Sequence, residues 1–250
     1  LAIAQRILTE LLRRRRSLIF WAIFPAIILW LNGSILAERA QISTAEAYAN
    51  AAPASLVGAA LFFSCLGGSV ATVVGEREQQ TLKRLFMSPL SGLSYFLGIF
   101  LAHGAIALGQ TLVVLLLAAL VGAEFQGNGL LASLIIALSV MAYVGVGFIL
   151  GTQFARRTED VNALVAAFGV PLLILGGVFL PARFFPKSLL DLAQYNPVFH
   201  MNEALVAVVA QGEGLATMGD HFWFLAGFAG LVTALGWLSY RRMVQMERRL

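Results

Sequence analysis

The chain has 250 residues, of which 59% are apolar and 12% are charged, and its formal net charge is +4. A soluble domain usually has about 25% charged residues, so this composition excludes an ordinary soluble fold and indicates a protein that crosses the membrane several times. The single cysteine, Cys65, excludes an internal disulfide bond.

Residues 1–16 predict a separate amphipathic helix ahead of the first span. Apolar residues recur in this stretch at helical spacing, with polar residues between them. We expect the helix to lie along the membrane interface, with its apolar face in the lipid and the Arg13–Arg16 run beside the headgroups. Its role is either to anchor the topology or also to dock a partner protein.

Six further stretches are long and apolar enough to cross the bilayer, because a hydrocarbon core of about 30 Å requires about 20 apolar residues in a helix. We therefore predict an all-α membrane protein with a single domain over residues 1–250. It consists of the interfacial helix at 1–16, a six-span bundle at 17–240 and a tail at 241–250. The predicted spans are Ser17–Leu36, Pro53–Val74, Tyr95–Val121, Leu130–Gly151, Asn162–Leu180 and His221–Tyr240.

The basic residues are distributed unequally over the two faces of this predicted bundle. Fourteen of the 17 Lys and Arg residues fall on the face that carries both termini and the loops 75–94 and 152–161. An excess of Lys and Arg marks the cytoplasmic side of a membrane protein. Both termini are therefore predicted to be cytoplasmic, in a multi-pass protein of the cytoplasmic (inner) membrane.

The connection between the fifth and sixth spans, residues 181–220, contains two predicted short helices. These are Lys187–Tyr195 and Val198–Ala210. The second is apolar but too short to cross the bilayer. We predict that it is a re-entrant or interfacial helix packed on the bundle.

The sequence lacks the motifs of several enzyme classes. Neither of its two lysines follows a glycine, so the phosphate-binding motif G-x-x-x-x-G-K-[ST] is absent, and so is the zinc motif H-E-x-x-H. The three histidines are scattered along the chain, which argues against a zinc site. We expect no catalytic residue, no metal and no directly bound cofactor, and no nucleic acid as a partner.

His103 is the one acidic or basic residue in the interior of a predicted span, and Gln110 lies on the same helix face seven residues later. The pair would either line a polar pathway for an ion or a substrate or form hydrogen bonds between helices of the bundle. We favour the hydrogen bonds.

Small residues recur at spacings of four inside the predicted spans. Such pairs allow two helix backbones to approach closely, within one chain or between two copies. The pairs are Ser64 and Gly68, Gly98 and Ala102, and Gly147 and Gly151.

The loop after the second span, residues 75–91, has the sequence GEREQQTLKRLFMSPLS. It combines a charged cluster at a helix end with a predicted short amphipathic helix, in which Leu82, Leu85 and Phe86 form the apolar side and which Pro89 ends. A short rigid helix is suited to transmit force from a soluble partner. The alternative is a solvated turn whose charges only fix the topology.

This loop resembles the E-R-E-x-x-T-L-x-x-L-x-x-x-P-[LM]-S signature of ABC-2 type permeases, the membrane subunits of ABC exporters. A second similarity is the run Gly177–Pro181, followed by Phe185-Pro186 and by Asn196-Pro197. The resemblance covers essentially the whole chain, including the six spans and the amphipathic start. The helix after Asn196-Pro197 departs from it, because the late arginine of many relatives is missing.

The resemblance implies a permease subunit that is not itself an enzyme. It would pair with a second permease copy, as a homodimer, and with two ATP-binding subunits that hold ATP-Mg. The substrate would be amphipathic (a drug-like molecule, a lipid or a glycan), and it would leave between the first, second and fifth helices of the two copies. A coupling helix at Glu76–Ser88 would contact the ATPase through Glu76, Arg77, Glu78, Thr81, Leu82 and Leu85. An extracytoplasmic gate would include Gly177, Phe179, Pro181, Asn196 and Pro197.

Other classes of function remain open at this point. One is an ion-coupled secondary carrier or channel that uses His103 and Gln110 and has no ATPase partner. Another is a membrane anchor or assembly factor without transport activity. An intramembrane enzyme is the least supported, because the motifs for one are missing.

Overall fold

The computed structural model describes residues 2–13, 15–81 and 91–247, and these residues form helices and no strand. Six of the helices are long and apolar enough to cross a membrane, so the predicted all-α architecture with six spans is confirmed. The helices are α1 (Ala2–Arg13), the spans α2 (Arg15–Arg39), α3 (Thr44–Glu78), α4 (Gly92–Leu120), α5 (Gly129–Phe154) and α6 (Thr158–Leu175), the short helices α7 (Lys187–Ala193) and α8 (Pro197–Ala210), and the span α9 (Leu215–Glu247).

Several helices extend beyond the predicted spans. Helix α3 begins at Thr44, nine residues before the predicted start, because the Ser43 side chain caps it by accepting the Glu46 N–H at 3.2 Å. Its first turns are rich in alanine and pack against α2, and a hydropathy pattern does not detect such small residues as a span. At the other end of the chain, α9 continues through Glu247, so residues 241–247 are helical and prolong the last span.

Helix α3 forms the centre of the bundle. In its most apolar window 83% of the residues are buried inside the protein, whereas the corresponding share for α6 is 22%. The middle of α3, Ser55–Gly67, has the wider hydrogen-bonding pattern of a π-helix, and α-helical segments flank it on both sides. Helices α2, α4, α5 and α6 thus pack around α3, while α9 packs mainly on α5. Helix α6 directs most of its surface away from the bundle.

Helix α1 packs against protein, which corrects one expectation from the sequence. Its apolar residues Ile3, Ile7 and Leu11 are buried, and its main neighbour is α4. Gly98 on α4 makes this approach possible, because a Cβ atom there would lie 2.7 Å from the Ile3 side chain. The prediction that the apolar face of α1 lies in the lipid is therefore wrong for Ile7 and Leu11, which pack against protein, whereas Leu12 of the same face is 51% exposed.

The predicted pairs of small residues lie at helix contacts within this one chain. A Cβ atom on Gly147 would lie 1.8 Å from Ser69 Oγ, and one on Gly151 would lie 3.1 Å from Val73 Cβ. Helix α5 therefore approaches α3 closely along this edge. The same helix crosses α9 at Gly145, where an added Cβ atom would meet the α9 backbone at 2.9 Å.

The two short helices predicted between the fifth and sixth spans are confirmed. Asn196 caps the start of α8 by accepting the Val198 N–H at 3.0 Å, and Pro197 occupies the first turn, where its missing N–H costs nothing. Helix α8 buries Val198, Met201 and Leu205 against α9, α5, α6 and α3.

Candidate functional site

Three consecutive residues at the end of α3, Glu76, Arg77 and Glu78, each contact a different part of the chain. We call them the 76–78 cluster. Successive side chains on an α-helix differ in direction by about 100°. Three adjacent residues can therefore reach three different neighbours, and the cluster connects α3 to α1, α5 and α6.

Glu76 links α3 to the N-terminal helix. Its carboxylate forms an ion pair with the Arg6 guanidinium of α1, and the residue is only 6% exposed. A buried carboxylate is costly without a partner of opposite charge, so this pair fixes the position of α1. Tyr95, near the start of α4, is buried beside the same carboxylate.

Arg77 and Glu78 bind the two helix ends on either side of the α5–α6 connection. Arg77 Nη1 donates to the carbonyl oxygens of Gly151 (3.2 Å) and Ala155 (3.4 Å) at the end of α5. The Glu78 carboxylate accepts the Thr158 N–H at 3.0 Å at the start of α6, and the Thr158 hydroxyl donates to its other oxygen. A cation at a helix C-terminus and an anion at an N-terminus both match the helix dipole.

The 76–78 cluster belongs to the span itself, which corrects the predicted start of the coupling helix. Residues 76–78 continue α3, and the chain turns at Gln79 and Gln80, where Gln80 adopts a left-handed conformation with φ of 55°. Thr81, the next predicted coupling residue, is half-buried after this turn. Leu82 and Leu85 lie outside the described residues.

His103 and Gln110 take part in hydrogen bonds between helices. His103 Nδ1 donates to the Ser64 carbonyl of α3 at 2.8 Å. Ser64 Oγ in turn donates to Gln110 Oε1 at 2.6 Å, and Gln110 Nε2 donates to the Trp21 carbonyl of α2 at 3.2 Å. The structure thus joins both predicted residues through Ser64, and this geometry favours the packing role over a polar pathway.

The predicted gate residues meet where α6 ends. Gly177 has a φ of 75°, which favours glycine and allows the chain to turn out of the helix. Asn196 Nδ2 donates to the Leu172 carbonyl at 2.7 Å, which also accepts the Gly176 N–H at 2.8 Å. Pro181 precedes a short 3₁₀ turn, and Phe179 packs partly buried against the core.

Two more asparagines hold the same bend, and the sequence interpretation missed both. Asn32 Nδ2 of α2 donates to the Val178 carbonyl at 2.6 Å, and Asn202 Nδ2 of α8 donates to the Gly176 carbonyl at 3.4 Å. Asn32 could have been identified from the sequence, because it is a lone amide side chain inside an apolar span. Three asparagine amides therefore hold the carbonyls around the end of α6.

A groove of about 520 Å³ lies between α2, α3 and α6. Phe20 and Trp21 of α2, Phe62 and Phe63 of α3 and Val165 of α6 contribute to its apolar lining. Arg16, Ser17 and Asn162, from the starts of α2 and α6, form a polar edge. The groove therefore offers an apolar interior beside a small polar region.

A family model described as ABC-2 type transporter matches residues 1–209 of the chain. The chain belongs to this family. The match extends from α1 through most of α8, so it includes the 76–78 cluster, the groove and the bend at the end of α6.

Three curated relatives are similar to the chain. "Inner membrane transport permease YhhJ" of Escherichia coli (strain K12) is 25% identical over 175 residues, which are 69% of this chain and 46% of the relative. "Probable multidrug ABC transporter permease YbhR" of the same organism is 24% identical over 174 residues, 69% of this chain and 47% of the relative. "ABC transporter G family member 20" of Dictyostelium discoideum is 29% identical over 144 residues, 57% of this chain and 20% of the relative. The chain spans about half the length of the two bacterial relatives.

The residues that contact the 76–78 cluster were not predicted, although the sequence indicated that one of them is an arginine. A carboxylate at the end of an ABC-2 span requires a cation, and the chain has several arginines near that face. The structure selects Arg6. Thr158, which Glu78 contacts, had no signal, because its role depends on how α6 is placed against α3.

Replacing Ser64 with alanine tests the packing role of the buried network. The change leaves Gln110 Oε1 without its donor, so we expect stability to fall by about 1 kcal/mol. Combining Ser64→Ala with Gln110→Leu removes both partners and should recover part of this loss. The measurement is the unfolding midpoint in detergent together with the transport rate. A Gln110→Leu variant as stable as the wild type but without transport would instead place this network on a pathway.

Proposed function

We propose that the chain is the permease subunit of an ATP-driven exporter, which moves an amphipathic substrate outward across the cytoplasmic membrane. Two ATP-binding subunits on separate chains supply the energy, and a second copy of the permease completes the membrane part. The excess of Lys and Arg on the face that carries α1 and the 76–78 cluster supports a cytoplasmic position for that face, on the side where the ATP-binding subunits would lie.

The 76–78 cluster is the observation that carries this proposal. It is the first part of the coupling signature, and it connects this segment at the end of α3 to α1, α5 and α6 through one ion pair and several hydrogen bonds. A displacement of this segment by a soluble partner is passed on to three elements at once. Such a rigid link is what a transporter needs if its ATPase lies on another chain.

The groove between α2, α3 and α6 supports an amphipathic substrate. Its aromatic and aliphatic lining accommodates an apolar group, while its polar edge accommodates a hydrogen-bonding or charged one. Helix α6 borders this groove and directs Phe168 and Ile174 outward. A second permease copy placed against α2 and α6 would enclose the two grooves between the subunits.

Co-purification tests the proposal. The chain is expressed together with an ABC-type ATP-binding protein from the same genome, and both assembly and ATP hydrolysis in lipid are measured. We expect a stable complex whose hydrolysis depends on the permease and is lost with Glu76→Ala. The proposal fails if no complex forms, or if Glu76→Ala leaves both assembly and coupled hydrolysis unchanged.

Inhibitors separate this function from an ion-coupled carrier or channel. Transport by the proposed exporter is abolished by vanadate, which blocks the ATP-binding subunits, and it persists when an uncoupler dissipates the proton gradient. Loss of transport with the uncoupler alone would favour the carrier. The hydrogen bonds that His103 Nδ1 and Gln110 form with neighbouring helices support the exporter.

A further inference from the structure

A small polar cavity of about 110 Å³ lies beside the bend at the end of α6, on the side of the bundle away from the 76–78 cluster. The α2–α3 pair forms one wall, and the other walls come from the bend and from α8. Its polar lining consists of Asn32, Asn50, Arg183, Asn202, Glu203 and Gln211. Neither the 76–78 cluster nor the groove shares any of these residues.

Two of these side chains present acceptors that have no donor. Asn32 is 1% exposed and Asn202 is 3% exposed. Their Nδ2 groups donate to the carbonyls of Val178 and Gly176, which fixes the orientation of both amides. Each Oδ1 atom is then left buried without a hydrogen-bond partner, and native proteins rarely leave such atoms unsatisfied.

Glu203 adds a third acceptor to this cavity. Among the described residues, no Lys, Arg or His nitrogen lies within 4.0 Å of its carboxylate oxygens, and no donor forms a hydrogen bond to them. Arg183, which also lines the cavity, has its guanidinium over the Phe184 ring at 5.7 Å. Burial raises the pKa of Glu203, and Arg183 partly offsets this effect. The cavity thus combines two amide oxygens with a carboxylate that lacks a close partner.

We propose that this cavity binds a hard metal cation, coordinated by Oδ1 of Asn32, Oδ1 of Asn202 and the carboxylate of Glu203. Carboxylate and amide carbonyl oxygens are the ligands that hard cations such as Na⁺, Mg²⁺ and Ca²⁺ prefer. A cation would satisfy both buried Oδ1 atoms and balance the charge of Glu203. The remaining volume admits water molecules as further ligands.

Cation binding would also stabilise the bend at the end of α6. The same two amides that would coordinate the ion donate their N–H groups to Gly176 and Val178. A cation on an amide oxygen polarises the amide and strengthens the hydrogen bonds that its N–H groups donate. The site would therefore hold the predicted gate region in the conformation seen here.

Thermal unfolding of the purified chain in detergent tests the site. The unfolding midpoint is compared in the chlorides of sodium, potassium, magnesium and calcium and in N-methyl-D-glucamine chloride, all at equal ionic strength. We expect at least one metal ion to raise the midpoint in a saturable manner and Glu203→Gln to abolish the rise. Asn50→Ala is the matched control and should keep it, because Asn50 lines the same cavity but its Oδ1 is not one of the buried atoms left without a partner.

Equal midpoints in all five salts, or the same rise in Glu203→Gln, would mean that water alone fills the cavity and would overturn the proposal. If Glu203→Gln does not fold, calorimetric titration of the wild-type chain with the four metal chlorides decides, and the absence of binding heat overturns it as well.

Discussion

Replacing Arg6 with alanine is expected to destabilise the protein by about 2–3 kcal/mol, whereas Glu76→Gln should cost about 1 kcal/mol. The two changes break the same ion pair but leave different groups behind. Without Arg6, the Glu76 carboxylate stays buried, with 7% of its side chain exposed. Without the Glu76 charge, the Arg6 side chain, which is 35% exposed, can turn to water or to lipid headgroups.

The double variant Arg6→Ala/Glu76→Gln is the control for this asymmetry. It removes both charges and should be more stable than Arg6→Ala alone, because no unpaired charge remains buried. Unfolding free energies in detergent give the coupling between the two residues. If both single variants lose the same unfolding free energy, and if the loss in the double variant is the sum of the two, the pair does not hold α1 in place.

Replacing Gly98 with leucine is expected to detach α1 from the bundle and to reduce ATP hydrolysis coupled to transport at least tenfold. A Cβ atom at this position would already lie 2.7 Å from the Ile3 side chain and 3.4 Å from the Ala4 backbone nitrogen, and a leucine requires far more space. Overpacking of this kind costs about 1–3 kcal/mol. Helix α1 would move away, and Arg6 would no longer reach Glu76.

Gly104→Leu is the matched control on the same helix. No atom outside its own helix lies within 4 Å of a Cβ atom at this position, so the added side chain extends into open space or lipid. Its unfolding free energy should remain within about 0.5 kcal/mol of the wild type. Coupled hydrolysis is measured in the complex with the ATP-binding subunits. If both variants hydrolyse ATP equally well, the docked position of α1 is not part of the coupling.

The sequence predicted the spans well because each span is long and nearly free of charge. Composition alone identifies such segments, since a spanning helix satisfies all of its backbone hydrogen bonds internally. The boundaries were less accurate at α3, where Thr44–Ala54 is helical but contains Glu46 and Asn50. Small and polar residues of that kind are compatible with a helix that packs on protein, and a hydropathy pattern does not distinguish them from a loop.

The environment of α1 was not predictable from its own sequence. An amphipathic helix has the same residue pattern whether its apolar face meets lipid or protein. What decides is the partner surface, here the small residues of α4 around Gly98, and that surface is formed only when the bundle assembles. Gly98 and Ala102 were recognised as a packing pair, but their pattern does not name the helix that they contact.

The candidate site was predicted in part. Glu76, Arg77 and Glu78 were identified from the loop motif, and Asn196 from its position before a proline. Their partners, such as Arg6, Thr158 and the Leu172 carbonyl, are distant in the chain. Choosing one arginine among many requires the three-dimensional arrangement, which one sequence does not provide.

The 76–78 cluster also makes the chain sensitive to helical register. Each additional residue rotates everything that follows it by about 100° around the helix axis. One residue inserted between Gly75 and Glu76 would leave the composition of the loop almost unchanged, yet it would turn all three side chains away from α1, α5 and α6 together. Point substitutions remove these connections one at a time, whereas a shift in phase removes them in a single step.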